Sequence, residues 1–194
     1  MIEALRAGLP VVLPFDTVYG LAAEPHEEVS TRRLYELKGR PEQQPTALVA
    51  ASVDHLRELL PELDMGSAWH LLPGPFTLVV PNPQRRFPRL TGTNPDALGI
   101  RVPELTGATR EAVAEVGAVV ATSANLPGGP DPRRLQDLPE RIRAGAAAVL
   151  DGGELPGTPS TVVDLTGAEP RVLREGAVPA VEVLRRLQAP VRSD

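Results

Sequence analysis

LPVVLPFDTVYGL, residues 9–21, is the stretch on which the reading of this chain turns. Val11, Val12 and Leu13 form a short apolar run between Pro10 and Pro14. A run of that length between breakers suits a buried strand rather than a helix. Pro14 has no N–H to give to a ladder, so regular pairing is expected to stop there. Asp16, Thr17 and Tyr19 then place three hydrogen-bonding side chains in four positions, closed by Gly20. Two readings stand. This is a strand with an ordinary turn, or a strand that delivers polar groups to a ligand at its end.

Working outward, the spacing predicts a short helix over 2–7 and a longer one over 27–38, with Val29, Leu34 and Leu37 inward. Gly39 suits its C-terminal cap and Pro41 its stop, which leaves Lys38 and Arg40 at the end of a helix, entering the loop 41–45. Those cations either complement the helix dipole or bind an anion. A strand is expected over 48–50. Ser52 then caps a helix carrying Leu56, Leu59, Leu60 and Leu63, and a short helix over 67–72 carries Trp69, a core residue. The rigid turn 73–75 leads into a strand over 76–80. Residues 82–97 are polar and proline-rich, with Arg85, Arg86 and Arg89, and read as a long surface loop, either a lid or a mobile segment.

A strand over 98–102 carries Arg101, which either stands on a solvated edge or meets an anion in a cleft. A helix over 109–116 precedes a strand over 118–122, which runs into Ser123, Ala124 and Asn125. This repeats the device of the opening stretch, and two such strand ends on one sheet would face one crevice. A helix over 138–144, strands over 147–150, 160–165 and 172–173, and a helix over 181–187 complete the chain. The expectation is one domain over 1–188 with a frayed tail over 189–194.

The totals prune the functions. The chain has 194 residues, a net charge of −5 and no cysteine, so disulfides, thiolate catalysis and thiolate metal sites are excluded. His26, His55 and His70 lack metal-ligand spacing. No apolar run approaches the ~20 residues of a membrane span. The N-terminus does not read as a signal peptide, so a cytoplasmic location is expected, with no membrane partner. The acidic total and 3% aromatics disfavour strong nucleic-acid binding. Of 20 basic residues, Lys38 is the only lysine. That is either chance or a position that needs a compact ammonium. Phosphate-loop, dinucleotide, zinc-protease and serine-hydrolase motifs are absent from the sequence. What remains is a set of strand ends bearing Thr17, Ser123, Asn125, Ser160 and Thr161, with Lys38, Arg40, Arg101 and Arg174 as cations. That inventory suits a polyanion plus a small polar ligand, with catalysis by positioning and charge stabilisation.

PFDTVYGL (14–21), LKGRP (37–41), PGPFTLVVP (73–81), GIRVP (99–103), ATSANLPG (121–128), STVVDL (160–165) and LREGAV (173–178) together resemble the YrdC/TsaC family, the threonylcarbamoyl-AMP synthases. The resemblance spans nearly the whole chain. It implies an α/β fold, a single twisted mixed sheet flanked by helices with an open central cleft. It also implies formation of L-threonylcarbamoyl-AMP and pyrophosphate from L-threonine, bicarbonate and ATP with Mg²⁺, for the t6A modification of tRNA. The downstream partner would be the tRNA threonylcarbamoyl-transfer machinery. The resemblance ends with the synthase domain and has no counterpart of the longer members' C-terminal extension.

By position, the resemblance implies that Thr17, Arg101, Ser123 and Ser160 contact threonine or its adduct. It implies that Lys38, Arg40, Asn125 and Arg174 contact ATP, with Lys38, Arg40 and Arg174 stabilising charge and no acid or base assigned. Phe15 stands where the family has Thr, Gln44 where it has a second Lys, and Val49 where some members have His. Pro127 and Arg133 stand where it has Ser and Thr. Arg133 is expected to restore at the ATP site the charge that Gln44 lacks. Two alternatives accompany this reading: a paralogue with weak or altered activity, and an RNA-binding module with weak RNA contact and no turnover.

Overall fold

Along Phe76–Pro81 and Ala97–Arg101, buried residues alternate with half-exposed ones, the pattern of strands with one face covered and one face open. The computed structural model describes residues 1–188, so the expected frayed tail lies outside the described residues. Nine strands form one sheet: β1 (Val11–Pro14), β2 (Tyr19–Ala23), β3 (Ala47–Ala50), β4 (Phe76–Pro81), β5 (Ala97–Arg101), β6 (Ala118–Ser123), β7 (Ala148–Val149), β8 (Thr161–Asp164) and β9 (Arg171–Arg174). Their order is β7-β1-β2-β6-β3-β5-β4-β8-β9. The pairs β1/β7, β3/β5 and β4/β8 are parallel and the others antiparallel. The sheet is therefore mixed, as expected. No described helix is long and apolar enough to cross a membrane.

Among the described residues six α-helices flank the sheet: α1 (Ile2–Arg6), α2 (Glu28–Lys38), α3 (Val53–Leu59), α4 (Gly107–Val116), α5 (Glu140–Gly145) and α6 (Ala180–Gln188). Successive strand residues point to opposite faces, so Val11 and Leu13 enter one core and Val12 the other. Val12 and Leu21 pack with Leu34 of α2, Leu56 of α3, Ile142 of α5 and Val183 of α6. Val11, Leu13 and Ala22 pack with Leu5 of α1 and Ala112 and Val113 of α4. That second core draws its strand residues from β1, β2, β3 and β6. Over β4, β5 and β8 the same face carries Thr77, Val79, Gly99, Arg101 and Val162, which stay half-exposed. Half of one sheet face therefore has a helical cover and half is open.

Several local expectations change. Pairing does not stop at Pro14: its Cα partner is Tyr19, and β1 returns directly as β2 through a hairpin closed by the Phe15 N–H donating to the Val18 carbonyl at 3.2 Å. The expected polar loop is thus a four-residue turn, and Tyr19 is a fully buried strand residue. Glycine and alanine are weak strand formers, so YGLAA (19–23) shows little strand signal. Its place between β1 and β6 decides the outcome. On α2, Val29 is 46% exposed, whereas Ser30, Thr31, Leu34, Tyr35 and Lys38 are buried. The buried Ser30 hydroxyl is satisfied by the Glu24 carbonyl at 2.8 Å, which permits a polar residue where an apolar one was expected. α3 stops at Leu59, so Leu60 and Leu63 reach the core from beyond the helix. Pro61 disfavours helical geometry at the residue before it. The loop 82–97 is stitched down: Asn82 is buried, its side chain donates to the Arg86 and Pro95 carbonyls at 3.0 Å, and Arg85, Arg86 and Arg89 pair with Asp96, Glu62 and Glu28.

Candidate active site

The uncovered half of the sheet is the floor of a cavity of about 410 Å³. Thr77 and Val79 of β4, Gly99 and Arg101 of β5, and Val162 of β8 supply the floor, each at an open position of its strand. Small residues at Ala47 and Gly99 keep it hollow. The rim comes from connections: Thr17 from the first hairpin, Arg40 from beyond α2, Ser123 from the end of β6, Ser160 from the start of β8 and Arg174 from the end of β9. Six of the expected site residues, Thr17, Arg40, Arg101, Ser123, Ser160 and Arg174, therefore converge on one hollow. They do so on a sheet face, not along one crest of strand ends, because a mixed sheet has no single carboxyl edge.

Arg101 and Asp16 form an ion pair at 2.9 Å, with their side chains 12% and 9% exposed. The Phe15 ring lies 5.8 Å from the Arg101 guanidinium. Burial raises the Asp16 carboxyl above its ordinary range while Arg101 opposes the rise. Burial also lowers Arg101, with Asp16 opposing and the Arg174 charge adding to the effect. A guanidinium remains charged throughout. Arg101 is neither on a solvated edge nor free: it lies in the cleft with Asp16 as its ion-pair partner. Arg40 donates to the Thr122 hydroxyl at 3.1 Å and the Pro45 carbonyl at 2.6 Å. Arg174 donates to the Ser160 carbonyl at 2.8 Å, and the Ser160 hydroxyl pairs with that of Thr77 at 2.8 Å. Buried side-chain atoms without partners in the described structure include Asp16 Oδ2, Arg40 Nε and Arg101 Nε. All three belong to groups that line or brace this cavity, where unmet hydrogen bonding marks a functional wall rather than a packed core.

Lys38 is 4% exposed and does not line the cavity. Its Nζ donates to the Ser123 carbonyl and to Asn125 Oδ1. Asn125 Oδ1 also accepts from the Ser123 hydroxyl at 2.7 Å, and its Nδ2 donates to the Gly129 carbonyl at 2.6 Å. Lys38 and Asn125 thus form a buried brace behind Ser123, where the sequence pointed to direct phosphate contacts. Burial, helped by the nearby Arg40 charge, lowers Lys38 to about 8.

Arg133 also stands outside the lining. It pairs with Glu154 at 3.0 Å and donates to the Leu155 carbonyl at 3.2 Å, so its position does not serve the role of replacement cation. Gln44 is exposed and its carbonyl accepts from Tyr35 at 2.9 Å. Phe15 and Val49 belong to the core beneath α1 and α4 and neither lines the cavity, although the Phe15 ring backs Arg101. Sequence reasoning missed Thr77, Thr91, Asn94, Thr122 and Asp131. Thr77 was legible as the polar member of an alternating strand; the others have no local signal.

A family model for the Sua5/YciO/YrdC domain, described as telomere recombination, matches residues 3–176. A threonylcarbamoyl-AMP synthase of Pyrococcus abyssi is 34% identical over 183 residues, 92% of this chain and 54% of the relative. One from Pseudomonas syringae pv. syringae is 34% identical over 183 residues, 90% of this chain and 94% of the relative. The crystal structure of P. abyssi Sua5 complexed with L-threonine superposes with a TM-score of 0.84 at 31% identity, covering 96% of this chain and 56% of that one. This chain spans about half the length of the P. abyssi relative.

Proposed function

We propose, from the premise that this chain belongs to the Sua5/YciO/YrdC family, that it forms L-threonylcarbamoyl-AMP from L-threonine, bicarbonate and ATP with release of pyrophosphate. The product would serve t6A synthesis on tRNA in the cytoplasm, with the threonylcarbamoyl-transfer machinery as downstream partner. The observation that carries this reading is the cavity: Arg40, Arg101 and Arg174 beside Thr17, Ser123 and Ser160, large enough for a nucleotide phosphate chain and an amino acid together. The relative named in complex with L-threonine has the same fold.

The chemistry follows from the wall. The carbamate oxygen attacks the α-phosphorus and pyrophosphate leaves, so negative charge grows on phosphate oxygens. Arg40 and Arg174 present guanidinium forks from opposite rims, suited to planar contact with phosphate. Losing one such contact in a transition state costs on the order of 3 kcal/mol. Ser123 and Ser160 offer hydroxyls to the amino acid, and Arg101 a cation to its carboxylate. Lys38 acts at one remove, by fixing Ser123 and Asn125. Among the described residues the lining contains one carboxylate, Asp131, and no cluster of acidic or histidine side chains could hold a metal. The residues present therefore fit a Mg²⁺ that travels with the phosphates of ATP, where it would offset their charge.

The RNA-binding alternative gains no support, since Arg85, Arg86 and Arg89 are each engaged by carboxylates. Pyrophosphate release measured with ATP, Mg²⁺, bicarbonate and threonine, each omitted in turn, tests the proposal. Release is expected to require threonine and bicarbonate; release indifferent to threonine would overturn it.

A further inference from the structure

We infer that Thr161 is a positioning residue that holds Arg174 on the cavity side of the sheet, an inference that rests on the function proposed above. Among the described residues β9 is the last strand of the sheet and pairs only with β8. Their register shifts within the pair. Val163 faces Val172 but Val162 faces Arg174, so Leu173 is the extra residue of a β-bulge. Facing residues of a ladder point to the same side of the sheet. Val162 is on the cavity side, so Arg174 is too, and Leu173 and Arg174 both line the cavity. In an unbroken ladder Leu173 would face Val162 and Arg174 would face Thr161, which starts the guanidinium from the core side.

What holds the bulged register lies on the opposite side. Thr161, one of the strand-end hydroxyls of the sequence inventory, does not line the cavity and is fully buried. Its hydroxyl donates to the Val178 carbonyl at 2.6 Å and accepts from the Gly176 and Val178 N–H groups at 3.1 and 3.0 Å. That uses its one donor and both acceptor positions. The Ala177 N–H donates to the Pro159 carbonyl at 2.8 Å. A Cβ at Gly176 would lie 2.2 Å from that same oxygen, so the chain after Arg174 is drawn tight against the start of β8. Residues 176–178 are thus fixed just beyond Arg174, whose side chain donates to the Ser160 carbonyl at 2.8 Å. An edge strand with one neighbour specifies its register weakly, and this set of contacts supplies what a second neighbour would. Thr161 touches no substrate; it acts through Arg174, whose charge meets the phosphate.

The test measures threonine-dependent pyrophosphate release for Thr161→Val, Thr161→Ser and Gly176→Ala, each alone and in an Arg174→Ala background, together with crystal structures of Thr161→Val and Gly176→Ala. Thr161→Val is expected to lower kcat at least about tenfold, the effect of misplacing a group that meets transition-state charge, with the KM for threonine within about threefold. Thr161→Ser keeps the hydroxyl and is expected to stay within about threefold of the wild type. Gly176→Ala pushes the same segment away from Pro159 and is expected to repeat the loss, which keeps the inference open to refutation if Thr161→Val does not fold. In the Arg174→Ala background either substitution is expected to cost less than about twofold more. The crystals are expected to show the Arg174 guanidinium out of the cavity. Equal losses with and without Arg174, or an equal loss in Thr161→Ser and Thr161→Val, would overturn the inference, because the hydroxyl would then serve the fold at large. An unmoved Arg174 in the crystals would overturn it as well. A wild-type chain without threonine-dependent release would remove the proposed function, and the crystals would still decide what places Arg174.

Discussion

Lys38 Nζ donates to Asn125 Oδ1, joining the last turn of α2 to the loop after β6 across 87 positions of sequence. The same ammonium holds the Ser123 carbonyl, so one lysine fixes the strand end that presents a hydroxyl to the cavity. An arginine is longer and planar and could not occupy this point without displacing the loop.

Lys38→Met should therefore leave the Ser123 carbonyl and Asn125 Oδ1 short of a donor, costing about 1–3 kcal/mol of stability in urea unfolding. The pH dependence carries a further signature. Lys38 titrates near 8 in the folded chain, against 10.5 for an ordinary lysine. Between those values the unfolded chain binds more protons, so this group makes stability rise as pH increases through that window. The wild type should gain on Lys38→Met between about pH 8 and 10; parallel pH profiles would place the ammonium in a solvated setting.

The Asp16–Arg101 pair predicts an asymmetry. Arg101→Met leaves a buried carboxylate without its partner and should cost about 3–5 kcal/mol, whereas Arg101→Met with Asp16→Asn should recover a large part of that loss. Chemical denaturation of the wild type, both single variants and the double variant measures the coupling. Additive losses would show that the two charges are not interacting across 2.9 Å.

Arg174→Ala should reduce threonine-dependent pyrophosphate release about 100-fold with the fold intact, as expected for a cation that meets charge developing on phosphate. Arg133→Ala should leave both the KM for ATP and turnover within about twofold, and cost at most about 1 kcal/mol, because its partner Glu154 is a surface carboxylate. Steady-state kinetics of the two variants side by side would expose an error in either assignment.

A Cβ at Gly20 would lie 2.3 Å from the Phe15 ring. Gly20→Ala should therefore destabilise the chain by about 1–3 kcal/mol through overpacking. In a Phe15→Thr background, with the ring gone, the same substitution should cost less than about 0.5 kcal/mol. A double-mutant cycle by thermal unfolding tests this; equal costs in the two backgrounds would locate the restriction in the backbone instead.

Most element positions could be read locally. VVL between prolines, the Gly39 cap after α2 and the alternation in β4 are set by periodicity and turn chemistry, which act over a few residues. The second strand, YGLAA, could not, since it is a strand only because β1 and β6 stand on either side of it. The candidate site divides in the same way. Residue types suited to phosphate and amino-acid binding were visible, and the order of the motifs pointed to the family. Which of them face the cavity was not visible, and Lys38, Asn125 and Arg133 show why. A cation near a site in sequence lines the wall or stands behind it according to the side chain it meets from elsewhere in the chain.

The amino-acid order alone determined an alternation of strands and helices, most of its turns and its inventory of hydroxyls and guanidinium groups, because those follow from side-chain chemistry and short-range spacing. Only the folded sheet decided that half of one face lacks a helical cover, that Lys38 became a buried brace and that Arg40, Arg101 and Arg174 meet in one cavity. Those outcomes depend on contacts between residues tens of positions apart, whose partners are chosen by packing and not by their neighbours in the chain.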